Sequence, residues 1–190
     1  MKVSFVRARY PSVWEPTNLM YVSAFIKNRY KGNLEVQILD GYFDSDEDIL
    51  TKIVGSDYVG FSGTTPQVPH IQKLSKLVKK EFPSMKTVVG GYGPSLQPFT
   101  FLNDPTIDYL IVGEGEQSML DIINGDTTEK LVSNQPIMDI DTIPNPDRDS
   151  IDLNRYISIA EKDEGRRVTS IMTERGCAFG CTFCAEGEFG

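Results

Sequence analysis

Residues 58–91, YVGFSGTTPQVPHIQKLSKLVKKEFPSMKTVVGG, decide the fold that we expect for this chain. A short apolar run opens the segment at Tyr58 to Ser62, and a second one, Thr87 to Val89, closes it before a pair of glycines. The residues between the two runs repeat at helical spacing, with an apolar face made of Ile71, Leu74, Val78 and Phe82. A strand, an amphipathic helix and a second strand in this order indicate one unit of a parallel sheet.

The same alternation extends over the first 125 residues. Further strand candidates are Lys2 to Val6, Leu34 to Leu39 and Tyr109 to Val112. The helix candidates are Leu19 to Asn28, Asp46 to Lys52 with Asp44 or Ser45 as its cap, Gln67 to Phe82, and Gln117 to Asn124. We therefore predict an α/β fold with a doubly wound, parallel five-stranded sheet of the flavodoxin-like or Rossmann-like kind. Ligands of such sheets bind beyond the carboxyl ends of the strands, so the loops there are candidate sites.

Composition and charge narrow the class of protein. The chain has 190 residues, 39% hydrophobic and 24% charged, and no apolar run approaches the ~20 residues of a membrane-spanning helix. With 19 basic and 27 acidic residues the net charge is -8, which disfavours nucleic acid as the main partner. No secretory signal precedes the first strand candidate, so we expect a cytoplasmic, reducing compartment.

Three loops at the carboxyl ends of predicted strands are rich in small residues. They are Ser62-Gly63-Thr64-Thr65-Pro66, Gly90-Gly91-Tyr92-Gly93-Pro94 and Gly113-Glu114-Gly115-Glu116. None contains G-x-G-x-x-G or G-x-x-x-x-G-K, which excludes the usual dinucleotide and phosphate loops. Glycine lets a bulky ligand approach bare backbone. Glu114 and Glu116 are interpreted as acids that favour the positive end of the following helix, with a catalytic role as the alternative.

All three cysteines of the chain, Cys177, Cys181 and Cys184, lie in one loop with the spacing C-x-x-x-C-x-x-C. An iron-sulfur cubane normally has four thiolate ligands, so three thiolates leave one iron open. Zinc completed by the only histidine, His70, is the alternative, but His70 lies more than a hundred residues upstream and the set matches no usual zinc spacing. The odd number of cysteines argues against a disulfide.

The cysteine loop, with Glu174-Arg175-Gly176 before it and Phe183 ahead of the last cysteine, resembles the cluster loop of the radical S-adenosylmethionine (radical SAM) family. The resemblance implies that the three cysteines ligate a 4Fe-4S cluster. It also implies that the amino and carboxylate groups of SAM chelate the open iron and that Phe183 lies near the adenine. In the family, one electron from the reduced cluster then releases a 5′-deoxyadenosyl radical from SAM.

The loops of the first 125 residues resemble the cobalamin (B12)-binding domain that precedes the radical SAM barrel in one large subgroup. The matching stretches are Val59-Gly60-Phe61-Ser62, Val88-Val89-Gly90-Gly91 with Pro94 and Pro98, and Val112-Gly113-Glu114-Gly115-Glu116. By this resemblance Ser62, Gly90 and Gly91 line the slot for the nucleotide tail, and the Gly113 to Glu116 loop faces cobalamin or a substrate. The D-x-H-x-x-G motif is missing, so His70 is expected to be an exposed first-turn residue and not a cobalt ligand.

Beyond residue 125 the periodicity fades and turn residues accumulate, as in Ile143-Pro144-Asn145-Pro146-Asp147-Arg148. We predict an α/β domain at 1–125, a linker at 126–165, and the start of a radical SAM domain at 166–190. Proteins of the subgroup carry a similar I-P-x-P-D-R stretch at this place. The resemblance makes Arg167 to Thr173 the first strand of a partial barrel that would be truncated at Gly190, so completion by another chain is one expectation.

The expected function is that of the amino-terminal portion of a radical SAM enzyme. It would use a 4Fe-4S cluster and SAM, with cobalamin, for radical methylation, cyclisation or rearrangement. A small-molecule or peptide substrate and a reducing partner such as flavodoxin or ferredoxin are implied. These residues alone are expected to be inactive. The alternative is a non-catalytic module that binds cobalamin or a small ligand and carries an idle cluster loop.

Overall fold

The computed structural model describes residues 1–185 and is built around one parallel sheet of six strands. The strands are β1 (Lys2–Arg7), β2 (Glu35–Asp40), β3 (Tyr58–Ser62), β4 (Lys86–Gly90), β5 (Tyr109–Ile111) and β6 (Leu131–Val132), in the spatial order β2-β1-β3-β4-β5-β6. The predicted α/β class and the parallel sheet are confirmed. The number of strands is corrected from five to six, because β6 pairs with β5 within the expected linker. The last five residues of the expected radical SAM segment lie outside the described residues.

The helices occupy the predicted positions and extend the set. They are α1 (Thr17–Arg29), α2 (Asp46–Lys52), α3 (Val68–Glu81), α4 (Tyr92–Leu96), α5 (Pro98–Leu102), α6 (Gly115–Asn124) and α7 (Leu153–Glu164). Ser45 caps α2 as predicted: its Oγ accepts from the Asp48 backbone, and the Asp48 carboxylate accepts from the Ser45 backbone. Among the described residues, no helix has the length and apolar character needed to cross a membrane.

Helices cover both faces of the sheet, as a doubly wound fold requires. One apolar core contains Ile49 and Ile53 of the α2 region with the predicted face of α3. The other core joins α1 to α6, with Met20 and Met119 almost fully buried. Because β1 connects to β2 on one side and β3 follows on its other side, the strand order reverses between β1 and β3. Ligands of open α/β sheets bind at this reversal, at the edge formed by the carboxyl ends of the strands, here named the carboxyl edge.

Residues of the expected linker make hydrogen bonds to the α/β fold. The Asp147 carboxylate accepts hydrogen bonds from Ser23 Oγ at 2.5 Å and from Lys27 Nζ at 2.6 Å, both on α1. The Asp147 backbone N–H donates to the Met20 carbonyl at 3.1 Å. Burial alone would raise the pKa of Asp147, but the hydrogen bonds that its carboxylate accepts from Lys27 and Ser23 lower that pKa below its usual value. The Pro-rich turn is therefore fixed to α1.

Helix α7 also packs on the sheet, through one buried tyrosine. The Tyr156 hydroxyl donates to Asp40 Oδ2 at 2.8 Å, and the same carboxylate accepts from Arg7 NH1 at 2.8 Å. The Phe43 ring lies edge-on to Tyr156 with the centroids 5.0 Å apart. Burial and the Asp40 charge raise the pKa of Tyr156, so its hydroxyl remains a donor. Tyr156 thus joins α7 to the end of β2.

The predicted strand at Arg167 to Thr173 is wrong in this structure. These residues have no strand assignment and add no strand to the sheet of the described chain. A strand of a parallel sheet needs a neighbour that takes its slanted hydrogen bonds, and the sheet ends at β6 on this side. Side-chain contacts hold this segment instead, as shown below.

Asp108 is expected to make the fold acid-sensitive. Burial alone would raise the pKa of Asp108, but hydrogen bonds from Lys79 at 2.5 Å and from the Thr87 backbone at 2.8 Å lower it to about 2. The unfolded chain, with a usual pKa near 3.8, takes up the proton first as the pH falls. Stability of about 2 kcal/mol is therefore present above pH ~4 and lost between pH ~4 and ~2. Chemical unfolding of Asp108→Asn should show a weaker pH dependence in this range, whereas Asp163→Asn, on the exposed side of α7, should behave as the original chain.

Candidate functional site

The carboxyl ends of β3 and β4 bring three predicted site residues together. Ser62 ends β3 and lies opposite Gly90, the last residue of β4, and Gly91 follows directly. Ser62 is almost fully buried, and its Oγ accepts a hydrogen bond from Asn18 Nδ2 of α1 at 2.8 Å. The serine therefore ties the end of β3 to the start of α1.

Gly91 is required by packing at this edge. Its φ of 90° with ψ of -179° is a conformation that essentially only glycine adopts. An added Cβ would lie 2.7 Å from Ser62 Oγ and 3.1 Å from the Gly63 carbonyl oxygen. The Cβ of a residue at Gly90 would meet only Ile111, at 3.5 Å, which is an ordinary contact. The fold itself thus explains one of the paired glycines, a reason that the sequence did not reveal.

Gln67 fixes the β3 loop to the β1 loop. Its Oε1 accepts from the Thr64 backbone at 2.8 Å, and its Nε2 donates to the carbonyl of Ala8. Thr64 and Gln67 have the T-x-x-Q spacing of a capping box, which is the signal that could have identified this pair from the sequence. The edge at the strand reversal is therefore held by side-chain bonds as well as by the sheet.

The β5 loop leaves backbone open at the same edge. Gly113 has a φ of 87°, and a Cβ added there would meet nothing within 4 Å. Its N–H donates to Ser95 Oγ at 3.2 Å, which fixes the loop to α4. Gly115 packs more closely, with a Cβ position 3.1 Å from Val22 on α1. Gly113 therefore presents bare backbone to the space beyond the sheet.

The two glutamates of the β5 loop bind an arginine, which adds to their predicted role at the helix start. Glu116 lies in the first turn of α6 with its side chain 5% exposed, and its Oε1 is 2.5 Å from Arg175 NH2. Glu114 precedes α6 without a side-chain cap bond; its Oε1 is 3.5 Å from Arg175 NH1 and its Oε2 accepts from the Ile137 backbone. Sequence reasoning did not pair Arg175 with these glutamates, because it is 59 residues from Glu116.

Arg175 lies in a half-buried position between α1 and α6. Its guanidinium is 5.1 Å from the centre of the Tyr21 ring, and its side chain is 18% exposed. Burial alone would lower the pKa of Arg175, but the hydrogen bond and charge of Glu116, followed by the charge of Glu114, raise it above its usual value. The charge is therefore permanent, and it neutralises carboxylates that would otherwise be costly to bury.

His70 is not the exposed residue that the sequence suggested. It lies in the first turn of α3 as expected, but its side chain is only 14% exposed. Its Nδ1 accepts from the Arg9 backbone N–H at 2.8 Å, so Nε2 carries the proton towards Asp46 Oδ1 at 2.9 Å. Both ring nitrogens are thus engaged between the β1 loop and α2. Neither a zinc site at the cysteines nor a cobalt site can use His70 without breaking these bonds.

The cysteine loop is exposed. Cys177, Cys181 and Cys184 are free thiols at the surface, and Phe183 is 92% exposed. Within residues 1–185, no three His, Cys, Asp or Glu side chains lie close enough together to hold a metal ion. The structure therefore places the three thiols in one loop without gathering their sulfurs, and the cluster site and the contact of Phe183 with adenine stay predictions.

Comparison with known proteins assigns the domain. Residues 3–123 match the family described as the B12 binding domain. The chain belongs to this family. The match covers the predicted strands and the loops at the carboxyl edge, and it confirms that the chain contains the B12-binding domain recognised from the sequence. The family match thereby supports cobalamin as a ligand of this domain.

Three curated relatives are similar over nearly the whole chain. An anaerobic magnesium-protoporphyrin IX monomethyl ester cyclase from Rubrivivax gelatinosus is 26% identical and covers 100% of this chain and 39% of the relative. An uncharacterized methyltransferase from Pyrococcus horikoshii is 26% identical, with 92% and 41% covered. A cytidylyl-2-hydroxyethylphosphonate methyltransferase from Streptomyces wedmorensis is 27% identical, with 94% and 45% covered. The chain thus spans about two fifths of the length of these enzymes.

The residues at the carboxyl edge of the B12 domain fit a bulky cofactor. Gly113 presents bare backbone with open space beside it. Exposed aromatic rings occur in the segments that follow β1, β2 and β4: Trp14, Tyr42, Tyr92 and Phe99. Such rings bury large apolar area against planar groups at low entropic cost. The sequence analysis quoted Tyr92 within its loop but did not note the other three rings. Because both ring nitrogens of His70 are engaged elsewhere, this chain would hold such a cofactor through other residues.

Proposed function

We propose that this chain is the amino-terminal, cobalamin-binding part of a radical SAM enzyme. The observation that carries the proposal is the contact of Arg175 with the β5 loop of the B12 domain. Arg175 is separated from Cys177 by one residue, so the cysteine loop starts within about 7 Å, along the chain, of a side chain bound at the carboxyl edge. The C-x-x-x-C-x-x-C loop thus starts at the carboxyl edge of the B12 domain. This arrangement favours an enzyme that uses both cofactors together.

Different residues of this chain would bind the two cofactors. Cys177, Cys181 and Cys184 would hold the 4Fe-4S cluster, whose chemistry supplies the one-electron cleavage of SAM. Phe183 would lie against the adenine of SAM. Gly90, Gly113 and the exposed rings would bind cobalamin at the carboxyl edge, while Ser62 and Gly91 hold the edge in shape. Glu114 and Glu116 face Arg175, so they organise the site and are not general bases.

The reaction class that we propose is radical methylation or cyclisation, with rearrangement as a third outcome. The names of the relatives support the first two, because two are methyltransferases and one is a cyclase. The substrate would be a small molecule or peptide, and the electron would come from a protein such as flavodoxin or ferredoxin. The free thiols suit a reducing cytoplasm. The remaining barrel would follow residues 166–190 or come from another chain.

The second candidate is a binding module with an idle cluster loop. It is favoured by one observation: the three thiols are exposed and not gathered into a group of metal-binding size within residues 1–185. The two candidates differ in product. After anaerobic reconstitution and reduction with SAM, an enzyme in its full length releases 5′-deoxyadenosine, whereas a binding module releases none.

Cobalamin binding is the direct test of the B12 domain. Because no histidine is free to ligate cobalt, added cobalamin should co-migrate with the protein in gel filtration and show a base-off absorption spectrum. His70→Asn, which keeps an acceptor for the Arg9 backbone, should leave that spectrum unchanged. A spectrum that changes in His70→Asn would show that the histidine ligates cobalt. Failure of cobalamin to co-migrate would contradict the assignment of cobalamin to this chain.

A further inference from the structure

Residues 169–175, named here the strap, lie in the chain between α7 and the cysteine loop. The first end of the strap is held by Glu15, in the loop after β1. The Glu15 carboxylate accepts from Thr169 Oγ1 at 2.8 Å, from the Ser170 backbone at 3.1 Å and from the Ser170 hydroxyl. Burial alone would raise the pKa of Glu15, but these hydrogen bonds lower it, so the carboxylate stays ionised.

Arg148 completes this first anchor from the other side. It donates to Thr169 Oγ1 at 2.9 Å and to the Ser170 carbonyl at 2.7 Å. Its neighbour Asp147 is fixed to α1 through Ser23 and Lys27, so Arg148 projects from a rigid turn. The start of the strap is therefore held next to α1 through Asp147 and Arg148.

The second end of the strap is the ion pair of Arg175 with Glu116 and Glu114, named here the latch. Between the two anchors, Ile171 is 81% exposed and Met172 is 39% exposed. The strap thus gains little from apolar burial, and charged hydrogen bonds at its two ends hold it in place. It runs from the β1 loop to the β5 loop, which belong to strands separated in the sheet by β3 and β4.

We propose that Glu116 and Arg175, with Glu15 at the first anchor, are positioning residues that fix the base of the cysteine loop at the carboxyl edge of the B12 domain. The Glu116 carboxylate is suited to this because it is buried at the amino-terminal turn of α6, where the helix favours negative charge, and its partner is permanently charged. The proposal goes beyond the proposed function, because it assigns Glu116 and Arg175 a role in positioning the cysteine loop and its test reads the position of the strap.

Limited proteolysis of the reduced, cofactor-free chain tests the latch. Thermolysin cleaves before exposed apolar residues, and cleavage at Ile171 or Met172 needs the strap to leave the domain surface. Removing one partner of a buried ion pair leaves an uncompensated charge. Glu116→Gln and Arg175→Gln should each raise the cleavage rate in the strap about tenfold or more, since cleavage follows the population of the open form. Arg175→Lys, which keeps the charge, should retain part of the protection.

The double variant and a surface pair make the test specific. If the two residues act through each other, Glu116→Gln with Arg175→Gln should be cleaved no faster than either single variant. Arg167→Gln is the matched control, because Arg167 pairs at 3.6 Å with the exposed Glu161 and is itself 62% exposed. This control should be cleaved at the original rate.

Two results would overturn the proposal. One is a strap that is cleaved at the same rate in Arg175→Gln as in the original chain. The other is additive effects of the two substitutions, which would mean that Glu116 acts only through the stability of α6. Circular dichroism shows whether Glu116→Gln unfolds the domain. In that case Arg175→Gln decides the outcome, because Arg175 lies outside the matched residues 3–123.

Discussion

Replacing Cys177, Cys181 or Cys184 by alanine is expected to abolish the iron and sulfide content of anaerobically reconstituted protein. The chain has three cysteines in all, so no other thiolate can take the place of the one removed. All three side chains are exposed and free, so each substitution should leave the α/β domain intact. Iron and sulfide analysis, together with the visible absorption of the cluster, measures the effect, and equal amounts of iron and sulfide are expected in the original protein.

The same preparations contain the control for this prediction. Urea unfolding of each cysteine variant should match that of the original chain, which separates loss of ligand from loss of fold. Iron and sulfide retained in full by any variant would remove that cysteine from the ligand set. Zinc held by the anaerobically purified protein in place of iron would contradict the cluster altogether.

Gly91→Ala is expected to lower the free energy of unfolding by about 3 kcal/mol. The glycine-only backbone conformation accounts for about 1–3 kcal/mol, and forcing a Cβ to 2.7 Å from Ser62 Oγ adds the cost of an overpacked core. The contact involves backbone of the β3 loop as well as a short side chain, so relaxation is limited. Urea unfolding followed by far-ultraviolet circular dichroism measures the change.

Gly165→Ala is the matched control for this substitution. Gly165 ends α7 with a φ of 71°, and a Cβ there would meet nothing within 4 Å. This variant isolates the cost of a left-handed conformation, about 1 kcal/mol. If both variants lost the same free energy of unfolding, the contact with Ser62 would not contribute to the effect of Gly91→Ala. A Gly91→Ala protein as stable as the original would contradict the packing of the β3 and β4 loops described above.

The sheet and its helices could be predicted because their signals are local. Tyr58–Ser62 and Asp46–Lys52 have the bounds predicted from apolar runs and from the Ser45 cap. Helix α3 shows the 3.6-residue period along its whole length, and the buried positions Ile71, Leu74 and Val78 lie on the predicted face. Such patterns need no knowledge of distant residues.

The parts that the sequence did not predict depend on distant partners. A two-residue strand such as β6 has no period to detect, and its place is set by β5 alone. Helix α7 buries one aromatic ring, Tyr156, so its apolar face is too narrow to stand out among turn residues. The strand expected at residues 167–173 has the right composition, but composition cannot supply a neighbouring strand.

In the candidate site, too, the residues with local signals could be predicted and those that depend on distant partners could not. The glycines and Ser62 could be found because small residues follow the predicted strands. The partner of Glu116 could not, since Arg175 is one of many cations and only the packing of α1 against α6 brings it into reach. His70 was misjudged because its two partners, Arg9 and Asp46, come from other loops.

Helix α7 alters where the stable unit of this chain ends. The Asp40 carboxylate accepts from two side chains, Tyr156 and Arg7, and Asp40 is buried at the end of β2. A polypeptide cut at residue 125 would lose the Tyr156 donor together with β6 and the turn bound to α1, and it would uncover part of the apolar face that includes Ile111. We therefore expect that a stably folded piece of the molecule must run to about Gly165, some forty residues past the segment that the B12 family defines.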